Sequence, residues 1–225
     1  MDRLDAECTF YQITVPNHVH LLRAVKDGKN DQAIFDFSFT NAQIRFTPPT
    51  RAEIAITQTG AGFLRAVSGL VQILFLAALA LAARSRRELA ALAGMFLIGQ
   101  IAAAVLAPRI NWDPAPRFVE AATALTIAYM AIEILALPAA GKRWLIAGAL
   151  GIFHGLYFAL FLRTSEFSPL YVLGGAALAE LLILAVFAYV FSHVSRLTAQ
   201  FKPVQVSASL LLGIGMFWFF LRLKS

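Results

Sequence analysis

The chain has 225 residues, of which 59% are hydrophobic and only 14% charged, and its mean hydropathy is +0.70. An ordinary globular domain is about 45–50% apolar and ~25% charged, so most of this chain is too greasy for a water-soluble fold. The net charge of +6 and pI of about 9.8 would suit nucleic acid, but no basic patch interleaved with aromatics accompanies them. The positive charges sit between apolar runs, as in membrane proteins, and no nucleic-acid partner is expected.

The start, "MDRLDAECTFYQITV", is acidic and lacks the continuous apolar core of a secretion signal. Its single Cys8 has no partner for an internal disulfide. Residues 8 to 59 read as strands: "QAIFDFSF" puts Phe35, Phe37 and Phe39 on one face, and "AEIAITQT" alternates Glu53, Ala55 and Thr57 against Ile54 and Ile56. "DGKND" and "TPPTR" punctuate them as turns. The expected organisation is a small β-rich extramembrane domain over residues 1–60 with a thin core, followed by a membrane domain over 61–225. "NHVH" places His18 and His20 on one face of a strand, a spacing better suited to a solvated pair than to half a metal site.

Beyond Gly60 the pattern changes. A helix crossing a ~30 Å hydrocarbon layer needs roughly 20 mostly apolar residues, and six segments qualify: 64–83, 89–107, 118–138, 144–162, 169–192 and 204–221. The fold class is therefore mainly α, a six-helix transmembrane bundle preceded by the β-rich segment. Short connections favour antiparallel packing of sequence neighbours. Trp112 and Trp144 stand at helix ends, where interfacial aromatics belong.

The first, third and fifth connections hold seven Arg and Lys: 84, 86, 87, 142, 143, 196 and 202. The second, the fourth and the tail hold five: 109, 117, 163, 222 and 224. The positive-inside rule then puts both termini on the outer, periplasmic side of a bacterial inner membrane.

Polar groups within the spans stand out, because an intramembrane ionisable side chain is costly and marks function by default. At ~1.5 Å per residue, His154, Glu180, Gln72 and Gln100 fall near the middle of the fourth, fifth, first and second spans. Glu133 lies about 7–8 Å toward the inner side of the third, and Glu120 near its outer end. Ala147, Gly151, Gly155 and Ala159 recur every four residues beside His154, and Gly175 and Ala179 do so before Glu180. Such small-residue stripes let another helix approach closely and shield the polar groups from lipid. A hydrogen-bonded core that merely fixes helix register accounts for the same residues.

"RFVEAATALTIAYMAIEIL" and "RWLIAGALGIFHGLYFAL" resemble the HupE/UreJ family of small polytopic membrane proteins. Val119, Glu120, Tyr129 and Glu133 fit that family's third-span pattern, with Ile134 replacing an asparagine. Gly151, His154, Gly155, Phe158 and Ala159 fit its fourth. The resemblance covers residues 44 to 163 well and the last two spans loosely. It implies uptake of nickel or a similar divalent transition metal as the transported ion, with no other cofactor indicated. It also implies a histidine and an aspartate in the first span and a histidine in the second. Here Arg65 replaces the family's earlier first-span histidine, Val71 its aspartate and Gln72 its later histidine, while Gln100 replaces the second span's histidine.

A neutral amide is a poor ligand for nickel or zinc. The candidate metal ligands are thus reduced to His154, Glu133 and Glu180, within a polar intramembrane layer completed by Gln72, Gln100 and Glu120. Two functions follow: a metal-permease-like transporter with a depleted site, or a non-transporting accessory or scaffold subunit of a larger membrane complex. The partners expected are the lipid bilayer and either such a complex or further copies of the chain. No enzyme is expected, since no nucleophile–base order, zinc spacing or phosphate loop is present.

Overall fold

The computed structural model of the chain describes residues 3–7, 20–35, 41–110, 114–137, 141–165, 167–197 and 203–224. The chain divides into two compact units, Met1–Ile54 and Ala55–Ser225. In the first, β1 (Arg3–Glu7) pairs antiparallel with β4 (Asn41–Arg45), and β2 (His20–Lys26) with β3 (Lys29–Phe35). Asp27 and Gly28 join β2 to β3 with φ of 51° and 76°. Positive φ at both central residues matches the twist of hairpin strands, and an Asp-Gly pair tolerates it. The core is thin: Ala33 and Ile44 are buried, with Ala6, Ala24, Ala42 and Phe46 against them. Cys8, His18, Phe37 and Phe39 lie outside the described residues.

The strand reading of residues 51–59 is corrected. They belong to α1 (Arg51–Ser68), a helix opened by a capping box. Thr50 Oγ1 accepts from the Glu53 backbone N–H at 3.3 Å, and Glu53 Oε2 accepts from the Thr50 N–H at 2.9 Å. Two orphan donors of the first turn are satisfied reciprocally, which outweighs an eight-residue alternation that also fits a helix.

The second unit is helical: the remainder of α1, then α2 (Leu70–Ala82), α3 (Arg86–Arg109), α4 (Pro116–Ala136), α5 (Arg143–Thr164), α6 (Pro169–Leu197) and α7 (Pro203–Lys224). Helices α3 to α7 are each long and apolar enough to cross a membrane. At ~1.5 Å per residue, even the 21 residues of α4 reach about 31 Å. The straight first span expected over 64–83 is instead two helices bent by 73° at their junction. Gly69 sits at the break in an extended conformation (φ −78°, ψ 96°) after Ser68, and a Ser-Gly pair is a common kink site. The buried faces carry Gln72, Gln100, Glu133, His154 and Glu180, while Leu181, Val186, Phe217 and Phe220 face outward. Polar inside and apolar outside is the arrangement a bilayer demands.

Packing follows small residues more than chain order. The most extensive interfaces join α3 to α5 and α4 to α7, whereas α2–α3 and α6–α7 touch little. Helices α3 and α5 run parallel, since Gly148, Gly151 and Gly155 meet Met95, Phe96 and Gln100 in ascending order. An added Cβ on Gly155 would lie 2.2 Å from the Gln100 carbonyl oxygen and 2.7 Å from Ala103 Cβ. Gly155→Val is therefore expected to cost about 1–3 kcal/mol through overpacking, read as a lowered melting temperature in detergent. A change within error would mean that α3 and α5 are not this close.

Candidate polar centre of the helical bundle

The centre is assembled by four helices that share one buried level. The α3–α5 contact fixes Gln100 beside His154, and α6 brings Glu180. The break at Gly69 turns α2 so that Gln72, in its first turn, faces both. All four side chains are buried.

Their hydrogen bonds form one connected set. Gln72 Nε2 donates to Glu180 Oε1 at 2.6 Å and lies 3.3 Å from Gln100 Oε1. Gln100 Nε2 donates to both carboxyl oxygens of Glu180, at 2.9 and 3.1 Å. Gln72 Oε1 faces His154 Nδ1 at 2.5 Å. An amide oxygen only accepts, so Nδ1 carries the proton. His154 Nε2 lies 3.0 Å from Thr126 Oγ1 on α4, and that hydroxyl is also 2.6 Å from the Thr123 carbonyl. One hydroxyl proton serves one of those two acceptors. The rings of Phe75 and Phe96 stand 4.4 and 5.5 Å from the imidazole and give it apolar neighbours.

The other two carboxyls on the sequence list stand elsewhere. Glu133 is two helical turns beyond Thr126 on α4 and ion-pairs with Arg143, Nε to Oε1 at 3.2 Å. That contact is close in distance but not aligned as a hydrogen bond. Arg143 spends its other nitrogens on backbone, donating from Nη1 to the Ala82 carbonyl at 2.9 Å and from Nη2 to the Leu137 carbonyl at 2.6 Å. It thereby closes the C-terminal ends of α2 and α4, where orphan carbonyls favour a cation. Glu120 is half-buried at the other end of α4 and ion-pairs with Arg222 of α7 at 3.2 Å. The structure thus unites Gln72, Gln100, His154 and Glu180 and leaves Glu120 and Glu133 outside that cluster. Neither Thr126 nor Arg143 stands out in the sequence as a site residue. Thr126 shares a face with Glu133 at a seven-residue spacing, and Arg143 reads there as a loop charge.

A cavity of about 280 Å³ reaches this centre from the Glu120 end of the bundle. Exposed Ser68 and half-buried Arg222 stand on its wall together with buried Gln72, Thr123 and His154. For a divalent transition metal the fit is poor. Imidazole Nδ1 is engaged by Gln72 and Nε2 faces the Thr126 hydroxyl, the Glu180 carboxyl is taken by two amides, and Glu133 is held by Arg143. Among the described residues, no group of three His, Cys, Asp or Glu could hold a metal ion.

Comparison with protein families matches residues 42–222 to the family described as HupE / UreJ protein. The chain belongs to the HupE/UreJ family. The match takes in every helix that contributes to the polar centre. No curated protein matches the chain, and no solved structure does. As a HupE/UreJ member, the protein is a polytopic membrane protein whose spans close around an amide–imidazole–carboxyl cluster.

Proposed function

We propose that the protein is a permease-type HupE/UreJ member with a depleted metal site, in which a vestibule from one membrane face ends on His154. The observation behind this reading is the cavity that joins exposed Ser68 and half-buried Arg222 to buried His154 and Gln72. A cation such as nickel, entering as cargo, must displace Gln72 or Thr126 to reach an imidazole nitrogen and must part Glu180 from its amides. The site then supplies His154 and Glu180 as ligands, too few for tight binding. Entry is therefore weakly selective among divalent metals. The Arg and Lys distribution supports a bacterial inner-membrane location with the termini on the periplasmic side, and with them the cavity mouth at the Arg222 end of α7.

The test is entry of nickel and cobalt into liposomes containing the purified protein. Removing even a residue that only orients a ligand costs ~10–100-fold in metal affinity or activity, so His154→Ala is expected to lose at least that much. Equal rates for wild type and variant, or no entry beyond empty liposomes, overturn the permease reading.

A second reading, a non-transporting accessory subunit, draws on the saturation of the cluster. Its amide nitrogens, carboxyl oxygens and imidazole Nδ1 all have partners within the protein. Such a centre holds four helices in register without cargo. A stoichiometric protein partner that co-purifies, and is lost when residues 1–46 are removed, would favour this reading over the first.

A further inference from the structure

Arg65 is not absorbed by the polar centre. It lies on α1, one turn before the break, and its guanidinium carbon stands 4.2 Å from the Tyr157 ring centroid and 4.5 Å from that of Phe161. Both rings belong to α5. The group is half-buried and its Nε has no hydrogen-bond acceptor. Among the described residues no carboxylate stands within ion-pair distance of it, and the nearest acidic wall residue, Glu120, is engaged by Arg222. The guanidinium also lines a cavity of about 210 Å³, together with Val119, Glu120, Tyr157, Phe161 and Thr164.

We propose that this cavity binds a phosphate group, held by the N–H edge of Arg65. The Thr164 hydroxyl, which donates to the Phe161 carbonyl at 3.0 Å in the structure, turns from it to the phosphate as a second donor. Ring contacts occupy the faces of a guanidinium and leave its planar fork of donors pointing along the edge. That fork matches the oxygen spacing of a phosphate and pairs with it through two parallel bonds. Size sets the ligand class: drug-sized molecules occupy about 300–1,000 Å³, so 210 Å³ suits a single phosphate with little else. The one carboxyl on the wall, Glu120, is met by Arg222 at 3.2 Å, so the charge of Arg65 is left for an anion. Val119 and Phe161 give the remaining wall an apolar character that the glycerol carbon next to a lipid phosphate would also accept, the acyl chains lying outside the cavity. The phosphate therefore comes either from a lipid headgroup or from solution.

Two arms separate these sources. Purified protein in a non-ionic, phosphate-free detergent is titrated with inorganic phosphate while its thermal unfolding is followed, with sodium chloride at matched ionic strength as control. In parallel, protein exchanged into nanodiscs of phosphatidylcholine with or without phosphatidylglycerol is released for native mass spectrometry. A saturable phosphate shift absent with chloride, or retention of one phospholipid per chain, is expected for wild type and lost in Arg65→Gln. Arg65→Lys, which keeps the charge without the fork, is expected to weaken binding at least ~10-fold. Thr164→Val, at an exposed helix end where folding is spared, is expected to weaken it several-fold and guards against a misfolded Arg65 variant. A wild type with neither a phosphate shift nor a retained lipid overturns the proposal. So does binding that both Arg65→Gln and Thr164→Val leave unchanged.

Discussion

Arg143→Ala is expected to destabilise the helical unit by about 3–5 kcal/mol, the usual consequence of removing one member of a buried ion pair. The Arg143 and Glu133 side chains are 3% and 2% exposed, so water cannot replace the lost partner. The truncation also withdraws the donors given to the Ala82 and Leu137 carbonyls. A surface pair would contribute about 0–1 kcal/mol, and the difference decides which kind of contact this is. Arg143→Lys restores the charge without the fork and is expected to recover part of the loss, since one ammonium cannot meet Glu133 and two separated carbonyls together. Replacing both partners, Arg143→Met with Glu133→Leu, removes the charge imbalance and should return most of the stability. Equilibrium unfolding of the four proteins in mixed micelles with rising dodecyl sulfate measures the series. A cost below about 1 kcal/mol for Arg143→Ala would mean that the pair is solvated.

That ion pair illustrates what a linear reading sees. The apolar length of α3 to α7 is visible because a bilayer imposes one dominant requirement, about 20 consecutive residues without charge. The shared depth of Gln72, Gln100, His154 and Glu180 is visible for the same reason, since depth follows from rise per residue. Azimuth and neighbour are not. Nothing in the order of the segments says that α5 lies parallel against α3, because that choice belongs to the matching of Gly151 and Gly155 with the backbone of Phe96 and Gln100. Glu133 accordingly looked like a member of the polar layer, although its partner is the guanidinium at the start of the next helix. Residues 51–59 went astray for a different reason: eight residues of mixed alternation fit either period. Thr50 and Glu53, the two ends of the capping box, held the deciding information. The bend at Gly69 was written as a Ser-Gly pair inside an apolar run. Its consequence, Gln72 turned into a cavity, needs the three-dimensional path.

Replacing Gln72 and Gln100 together by histidine is expected to convert the polar centre into a transition-metal site, with about one nickel or zinc bound per chain where wild type retains none through desalting. The geometry carries this expectation. Gln72 already reaches within 2.5 Å of one imidazole nitrogen of His154, and the two amides stand 3.3 Å apart while both touch Glu180. Imidazole nitrogen reaches about as far from the backbone as a glutamine amide, so three imidazoles and one carboxyl would converge on a point that four amide, carboxyl and imidazole groups now share. Nitrogen and carboxylate oxygen in that number suit nickel or zinc, whereas the present amides do not. Metal bound only by the folded form stabilises by RT ln(1 + [L]/Kd), about 2.7 kcal/mol at one hundred times Kd. The double variant should therefore melt later as nickel is added, and wild type should not respond. Gln72→His alone is expected to bind more weakly, and His154→Ala in the doubly substituted background to abolish binding. A folded double variant that takes up no metal would mean that these side chains do not surround a common point. The depleted-site account of the protein would then lose its structural basis.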